Sequence, residues 1–210
     1  MKTEKQLNAL LYAIEQYPEI GRTKLMKFVF FVDLLRYNQT HDTFLEDDYI
    51  HLPNGPVPEI GFSYTEQSNG HWEIEKLVYD PERYTYRFRT RKPADLTHFT
   101  DDDLRLFNVV IRTLKTYRSE TISAYTHRFD LWKDGANGEV IAKEKLQLEE
   151  YDYEDLKSFI YYAQSVEQAA NLPPPDADVP SDRVPDEFIS LQLSEIAVLS
   201  HQMPDVISSV

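Results

Sequence analysis

Catalysis needs convergent polar groups with matched roles, and this sequence offers few candidates. Its six histidines stand at 41, 51, 71, 98, 127 and 201, and no two are three or four residues apart. The HExxH pattern is absent, as are GxGxxG, a phosphate loop and a GxSxG elbow. There is no cysteine, which removes thiolate ligands, a thiol nucleophile and disulfides together. The acidic runs TDDD (100–103) and EEYDYED (149–155) carry the oxygen donors of a hard-cation site. Each stands just ahead of a helical pattern, however, where carboxylates cap and complement the positive end. Asp33 is the one carboxylate inside a strongly apolar run. With no second carboxylate at a fixed spacing it reads as a buried, paired structural group rather than half of a dyad. No catalytic residue, metal or cofactor is expected.

The cations carry a sharper signal. In RYTYRFRTR (83–91), Arg83, Arg87, Arg89 and Arg91 alternate with Tyr84, Tyr86 and Phe88. Such a strand could track a nucleic-acid backbone, present a face to a protein partner, or neutralise itself. The third reading is concrete. The preceding HWEIEKLVY alternates Trp72, Ile74 and Val78 with His71, Glu73 and Glu75, so 71–91 reads as a hairpin turning at Asp80-Pro81-Glu82. If Tyr79 pairs with Arg83, Glu75 faces Arg87 and Glu73 faces Arg89, a mildly stabilising ladder. Arg22, Lys24 and Lys27 form a second basic group, expected as a solvated rim at a helix start.

These groups must be positioned by a real core. The chain has 210 residues, 41% hydrophobic and 13% aromatic, and a net charge of −14. That composition excludes global disorder, and the charge disfavours a general nucleic-acid binder. No apolar run reaches the roughly 18 residues of a membrane span, and a cytoplasmic protein is expected. Residues 3–17 set Leu7, Leu10, Leu11 and Ile14 at helical spacing, with Thr3 as N-cap and Pro18 as stop. Segment 22–37 is apolar on nearly every side, the mark of a helix surrounded by other elements. A short strand at Tyr49–Leu52 leads into LPNGPVPEIG (52–61), a rigid corner. A third helix begins after Thr100, with Leu104, Phe107, Val110, Ile111, Leu114 and Tyr117 as its stripe. Shorter helices are expected at Glu120–Phe129 and Tyr153–Glu167. NLPPPDADVPSDRVP (171–185) reads as a linker, and the segment after it regains helical periodicity through Phe188, Leu191, Ile196 and Leu199. Residues 171–210 hold seven acids and one base.

The order of these stretches resembles the SocA-like Panacea antitoxin domain. The resemblance rests on GRTKLMKFVFFVD with Lys24, Leu25, Lys27, Phe31 and Asp33, and then on NGPVP with Gly55, Pro56 and Val57. SETISAYTHRFDLW follows, with Ser123 or Thr126, His127 and Trp132. It spans roughly residues 5–150. The sequence departs from the pattern after the corner, where the usual helix is replaced or shortened by the hairpin, and in the extension after 170.

The expected fold is α+β and mainly helical, with a small β-hairpin or sheet over residues 1–170, a linker at 171–185 and a C-terminal helix in 186–210. The resemblance implies an antitoxin of a bacterial or phage pair that neutralises an adjacently encoded protein toxin by direct binding. The alternative is a transcriptional regulator using a winged-helix-like element on nucleic acid. The corner reads as a fold determinant, with Gly55 permitting positive φ and Pro56 and Pro58 fixing theirs; the lesser reading is that it presents side chains to a partner. Candidate partner-binding residues are Asn54, Gly55, Pro56, Val57, Arg87, Arg89, Arg91, His127, Trp132, Phe188 and Leu191.

Overall fold

The structure, a computed structural model, describes residues 2–80, 83–133 and 135–170. Helix α1 (Lys2–Gln16) buries Leu7, Leu10, Leu11 and Ile14. It starts at Lys2, which puts Thr3 inside the first turn and not at the expected cap. Helix α2 (Arg22–Thr40) ends at His41, whose φ of 58° turns the chain out of the helix. Twelve of its residues are buried, so α2 is the central post of the domain, as its all-round apolar pattern requires.

Around this post stand α4 (Asp101–Thr116) and α7 (Glu150–Ala170), which pack on each other. A capping box fixes the start of α4. Asp103 N–H donates to Thr100 Oγ1 at 3.2 Å and Thr100 N–H donates to Asp103 Oδ2 at 2.9 Å. Phe107 of α4 meets Phe28, Phe44 and Phe99 at ring separations of 5.1–5.5 Å, all near edge-to-face.

Three short strands lie on the same post. The sheet order is β2 (Gly55–Pro58), β1 (Tyr49–Leu52), β5 (Val140–Ile141), all antiparallel, with Tyr49 opposite Pro58 and Leu52 opposite Gly55. The proline-rich corner is therefore an edge strand and the turn into it. An edge is where prolines without an N–H can sit in a sheet. A one-turn-and-a-half helix, α3 (Glu59–Tyr64), follows immediately, so the helix after the corner is shortened and not lost. Asp47 holds its start, accepting from Ile60 N–H at 3.0 Å and Gly61 N–H at 2.8 Å.

The second sheet is a two-stranded ribbon, β3 (Trp72–Asp80) with β4 (Arg83–Thr90). Glu73 opposes Arg89 and Glu75 opposes Arg87, as the alternation predicts. The turn end differs: a bulge at Tyr79 brings Asp80, not Tyr79, opposite Arg83. Along the ribbon's apolar face, Trp72 and Phe88 are buried at the base while Val78 and Tyr84 are 63% and 52% exposed farther out. Between α4 and α7 come α5 (Ser119–Thr126) and α6 (Asp130–Lys133) in place of one helix through Phe129. The fold is α+β and mainly helical. The linker expected at 171–185 and the helix expected in 186–210 lie outside the described residues.

Candidate functional site

Lys27 faces inward from α2 and is 1% exposed. The expected solvated rim is wrong at this position, because a helix buried on every side leaves a lysine in its middle no route to water. Lys27 Nζ donates to Thr126 Oγ1 at 2.9 Å, and that hydroxyl donates on to Ser123 O at 3.0 Å. Burial pushes the Lys27 ammonium down to about 7. Arg22 and Lys24 are half-buried. The Arg22 guanidinium lies 3.8 Å over the Tyr86 ring and donates to Thr65 O, clamping the ribbon to the post.

Gly55 closes the space above Lys27. Its φ is +101°, and a Cβ there would overlap Lys27 Nζ and stand 2.9 Å from Thr126 Oγ1. Only glycine satisfies both the dihedral and the approach. Next to Thr126, the His127 ring stacks on Trp132 at 3.7 Å and 7°. The same indole stacks on His51 at 4.8 Å and 15°. Trp132 Nε1 donates to Leu52 O at 3.2 Å, and His51 Nε2 lies 2.7 Å from Trp132 O. These bonds tie β1 to α6 across eighty residues of chain. Burial, with the Lys27 charge second, holds His127 below the usual histidine range.

A second polar node sits farther along α2. Asp33 is fully buried, accepting Leu45 N–H at 2.6 Å and the Tyr49 hydroxyl at 2.8 Å. Burial raises its carboxyl to about 7, against the opposing pull of those hydrogen bonds. This is the paired structural aspartate expected from the sequence.

The structure thus brings Gly55, His127 and Trp132 into one cluster with Lys27, Thr126 and His51. Pro56 and Val57 are buried in β2 beside it, and Asn54 is exposed at the turn. Arg87, Arg89 and Arg91 belong to a different surface. They are exposed on the ribbon, with Glu75 at 3.8 Å from Arg87 and 3.6 Å from Arg89, and Glu73 at 2.8 Å from Arg91. Phe188 and Leu191 lie outside the described residues. Sequence reasoning placed Lys27 on a solvated rim and missed His51. Strand alternation points His51 inward with Tyr49, a signal that was legible; its partner Trp132 is too distant in the chain to infer. The described residues contain no group of three or more His, Asp or Glu able to hold a metal.

Both nodes lie within one family match. The model described as "Antitoxin SocA-like, Panacea domain" matches residues 25–133, running from the residue after Lys24 to the residue after Trp132. No curated protein and no solved structure matches the chain. The match covers just over half of the 210 residues and includes every residue of the Lys27 and Asp33 nodes, and the chain belongs to the SocA-like Panacea antitoxin domain family.

Proposed function

We propose that this protein is an antitoxin that acts in the cytoplasm by binding a cognate protein toxin directly, without bond chemistry of its own. One observation carries the reading. The polar residues of the Lys27 and Asp33 nodes, both inside the family match, turn inward and are hydrogen-bonded within the fold, which supports a bracing role for them rather than a reactive one. Recognition then falls to the surface, where Val78, Tyr79 and Tyr84 on the ribbon are 52–70% exposed. Large aromatic and aliphatic side chains in the open are typical anchors of protein interfaces.

A nucleic-acid regulator fits less well. Helix α2 is enclosed and has no free polar face to read base edges, and three arginines of the ribbon are already paired with Glu73 and Glu75. Co-expression with the product of the neighbouring gene tests the proposal. The chain should restore growth to cells that the neighbour alone arrests, and should copurify with it. Salt-sensitive, sub-micromolar binding to its own promoter at about 0.15 M salt, with no rescue, would replace this reading with the regulator.

A further inference from the structure

Two ring nitrogens of the Lys27 cluster, His51 Nδ1 and His127 Nε2, are buried with no hydrogen-bond partner among the described residues. The bonds made by the opposite nitrogens fix what these two can do. His51 is 7% exposed, and its Nε2 lies 2.7 Å from the Trp132 carbonyl. A carbonyl can only accept, so Nε2 carries the hydrogen and Nδ1 keeps a lone pair. The His127 ring bonds the Asn54 backbone in the sense that favours its protonated form, so its N–H donates to the Asn54 carbonyl. That bond falls to Nδ1 and leaves Nε2 as the lone-pair nitrogen. A buried lone pair without a donor forgoes one hydrogen bond. A buried imidazolium N–H without an acceptor costs more, because the unmatched group is charged.

The surroundings offer such a proton no counter-charge. Lys27 of α2 and His51 of β1 are the titratable groups that act on His127, and no carboxylate stands with them. On α5, Tyr125 and the exposed Arg128 both turn to Asp155. On α6, Lys133 pairs with Asp130. In the turn at 135–139, the Glu139 carboxylate accepts from Ala136 N–H at 2.8 Å.

The same rings hold a seam closed. Trp132 of α6 stacks on both. His51 N–H donates to Glu139 O at 2.8 Å, and Gly138 N–H donates to His51 O at 2.7 Å. The Gly135 backbone lies against the His51 ring, where a Cβ would stand 2.6 Å from Cδ2. For His127 Nε2–H to reach water, this stack has to part.

We infer that the His51–Trp132–His127 stack is an acid-released latch, in which protonation of His127 opens the seam between β1 and α6 while the rest of the fold stays closed. Burial, with the Lys27 charge second, lowers His127 from 6.5, so its contribution is full above 6.5 and is lost as the pH falls. Asp33, raised from 3.8 to about 7, gains over the same interval. Mild acid therefore loosens the seam and tightens the Asp33 node. The latch needs no partner and stands apart from the antitoxin reading.

The test uses the full chain alone. Hydrogen exchange is measured at about pH 7.5 and about pH 5 and corrected for its intrinsic pH dependence. Protection at the His51 and Gly138 amides and at Trp132 Nε1–H should fall by at least about tenfold in acid. The Leu45 amide, bonded to Asp33, should keep or gain protection. His127→Phe keeps a flat ring against the indole and takes up no proton, so it should remove the response at all three sites. In the wild type, the His127 ring protons followed by NMR should titrate within about one pH unit of the loss of protection, which tests the latch even where the variant does not fold. Unchanged protection in the wild type, an equal loss in His127→Phe, or a loss that spreads to Leu45 overturns it. Protection that rises in acid would mean that the indole face holds the imidazolium, and overturns it too.

Discussion

The cluster around Lys27 and the β3–β4 ribbon are built from the same materials, cations and aromatic rings, in opposite surroundings. In the cluster a lysine, two histidines and a tryptophan are packed between α2, β1, β2 and α5, and each polar contact bridges elements far apart in sequence. On the ribbon, arginines, a lysine and tyrosines stand in solvent, and their partners lie across or diagonally across two adjacent strands. Desolvation makes the first set expensive to disturb, since a buried charge or unpaired donor forfeits its hydration with no replacement. Water and salt make the second set cheap to rearrange. The family match, residues 25–133, takes in both regions; within it Lys27, Gly55, His127 and Trp132 are enclosed and brace the fold, whereas the ribbon's side chains stand in solvent, where the proposed recognition falls.

The largest effect should come from Gly55→Val. The β-branched side chain would have to adopt a φ near +101° and displace Lys27 Nζ. A loss of at least about 3 kcal/mol is expected in urea unfolding, or no soluble protein at all. If Gly55→Val folds with unchanged stability and loses only toxin binding, the corner is a contact surface and the cluster is not the brace described above.

The two buried ionisable groups set the pH dependence next. Asp33 is raised to about 7 from 3.8, so between those values the native state holds a proton that the unfolded chain has released. Its contribution is full below about 4 and is lost as the pH climbs to 7. Lys27 is lowered to about 7 from 10.5, so over that range the unfolded chain holds the extra proton. Its contribution is full above about 10 and is lost as the pH falls to 7. Stability should therefore pass through a minimum near pH 7, with limbs on the order of a few kcal/mol. Asp47, raised chiefly by burial, adds to the acid limb, while His127, lowered chiefly by burial, opposes it. Lys27→Met should flatten the alkaline limb and Asp33→Asn the acid limb. A profile with its maximum at neutral pH in the wild type would show that neither group is enclosed.

Trp132→Ala comes third. It removes the stacks on His127 and His51 and the hydrogen bond to Leu52 O. Because the indole is partly and not fully buried, about 2 kcal/mol is expected, below the range for a fully buried aromatic. A value near zero would mean that β1 and α6 hold together without it.

How far this contrast could be read in the sequence differs from element to element. The register that sets Glu73 opposite Arg89 and Glu75 opposite Arg87 follows from a two-residue alternation and a turn, which are local facts, and stands as expected, although the ion pairs also step diagonally, from Glu75 to Arg89 and from Glu73 to Arg91. The Thr100 cap is equally local. Lys27 was misplaced because its charge suggested a rim, although the run on either side of it, Leu25-Met26 and Phe28-Val29, left that helix no solvated face. The exposure of Val78 and Tyr84 was not legible at all. Alternation assigns side chains to a face of a ribbon, but not how far the ribbon extends past the body that covers it.

The smallest effect should come from Glu75→Gln, and its smallness is the point. Glu75 is half-exposed and shares its carboxylate between Arg87 and Arg89 at 3.6–3.8 Å, with neither contact at short hydrogen-bonding range. Pairs of this kind contribute at most about 0.5 kcal/mol to stability, and less as salt screens them. Removing the carboxylate leaves two guanidiniums in water, where hydration replaces the lost partner, so the melting temperature should move by no more than about 2 °C. The same change raises the ribbon's net positive charge by one. If an acidic partner docks there, its association should quicken and become more salt-dependent while stability stays level. Stability measured by urea unfolding and association measured at about 0.05 and 0.3 M salt separate the two quantities. A loss of stability beyond about 1 kcal/mol would make the ribbon a structural element like the Lys27 cluster, and the division between the two regions would fail.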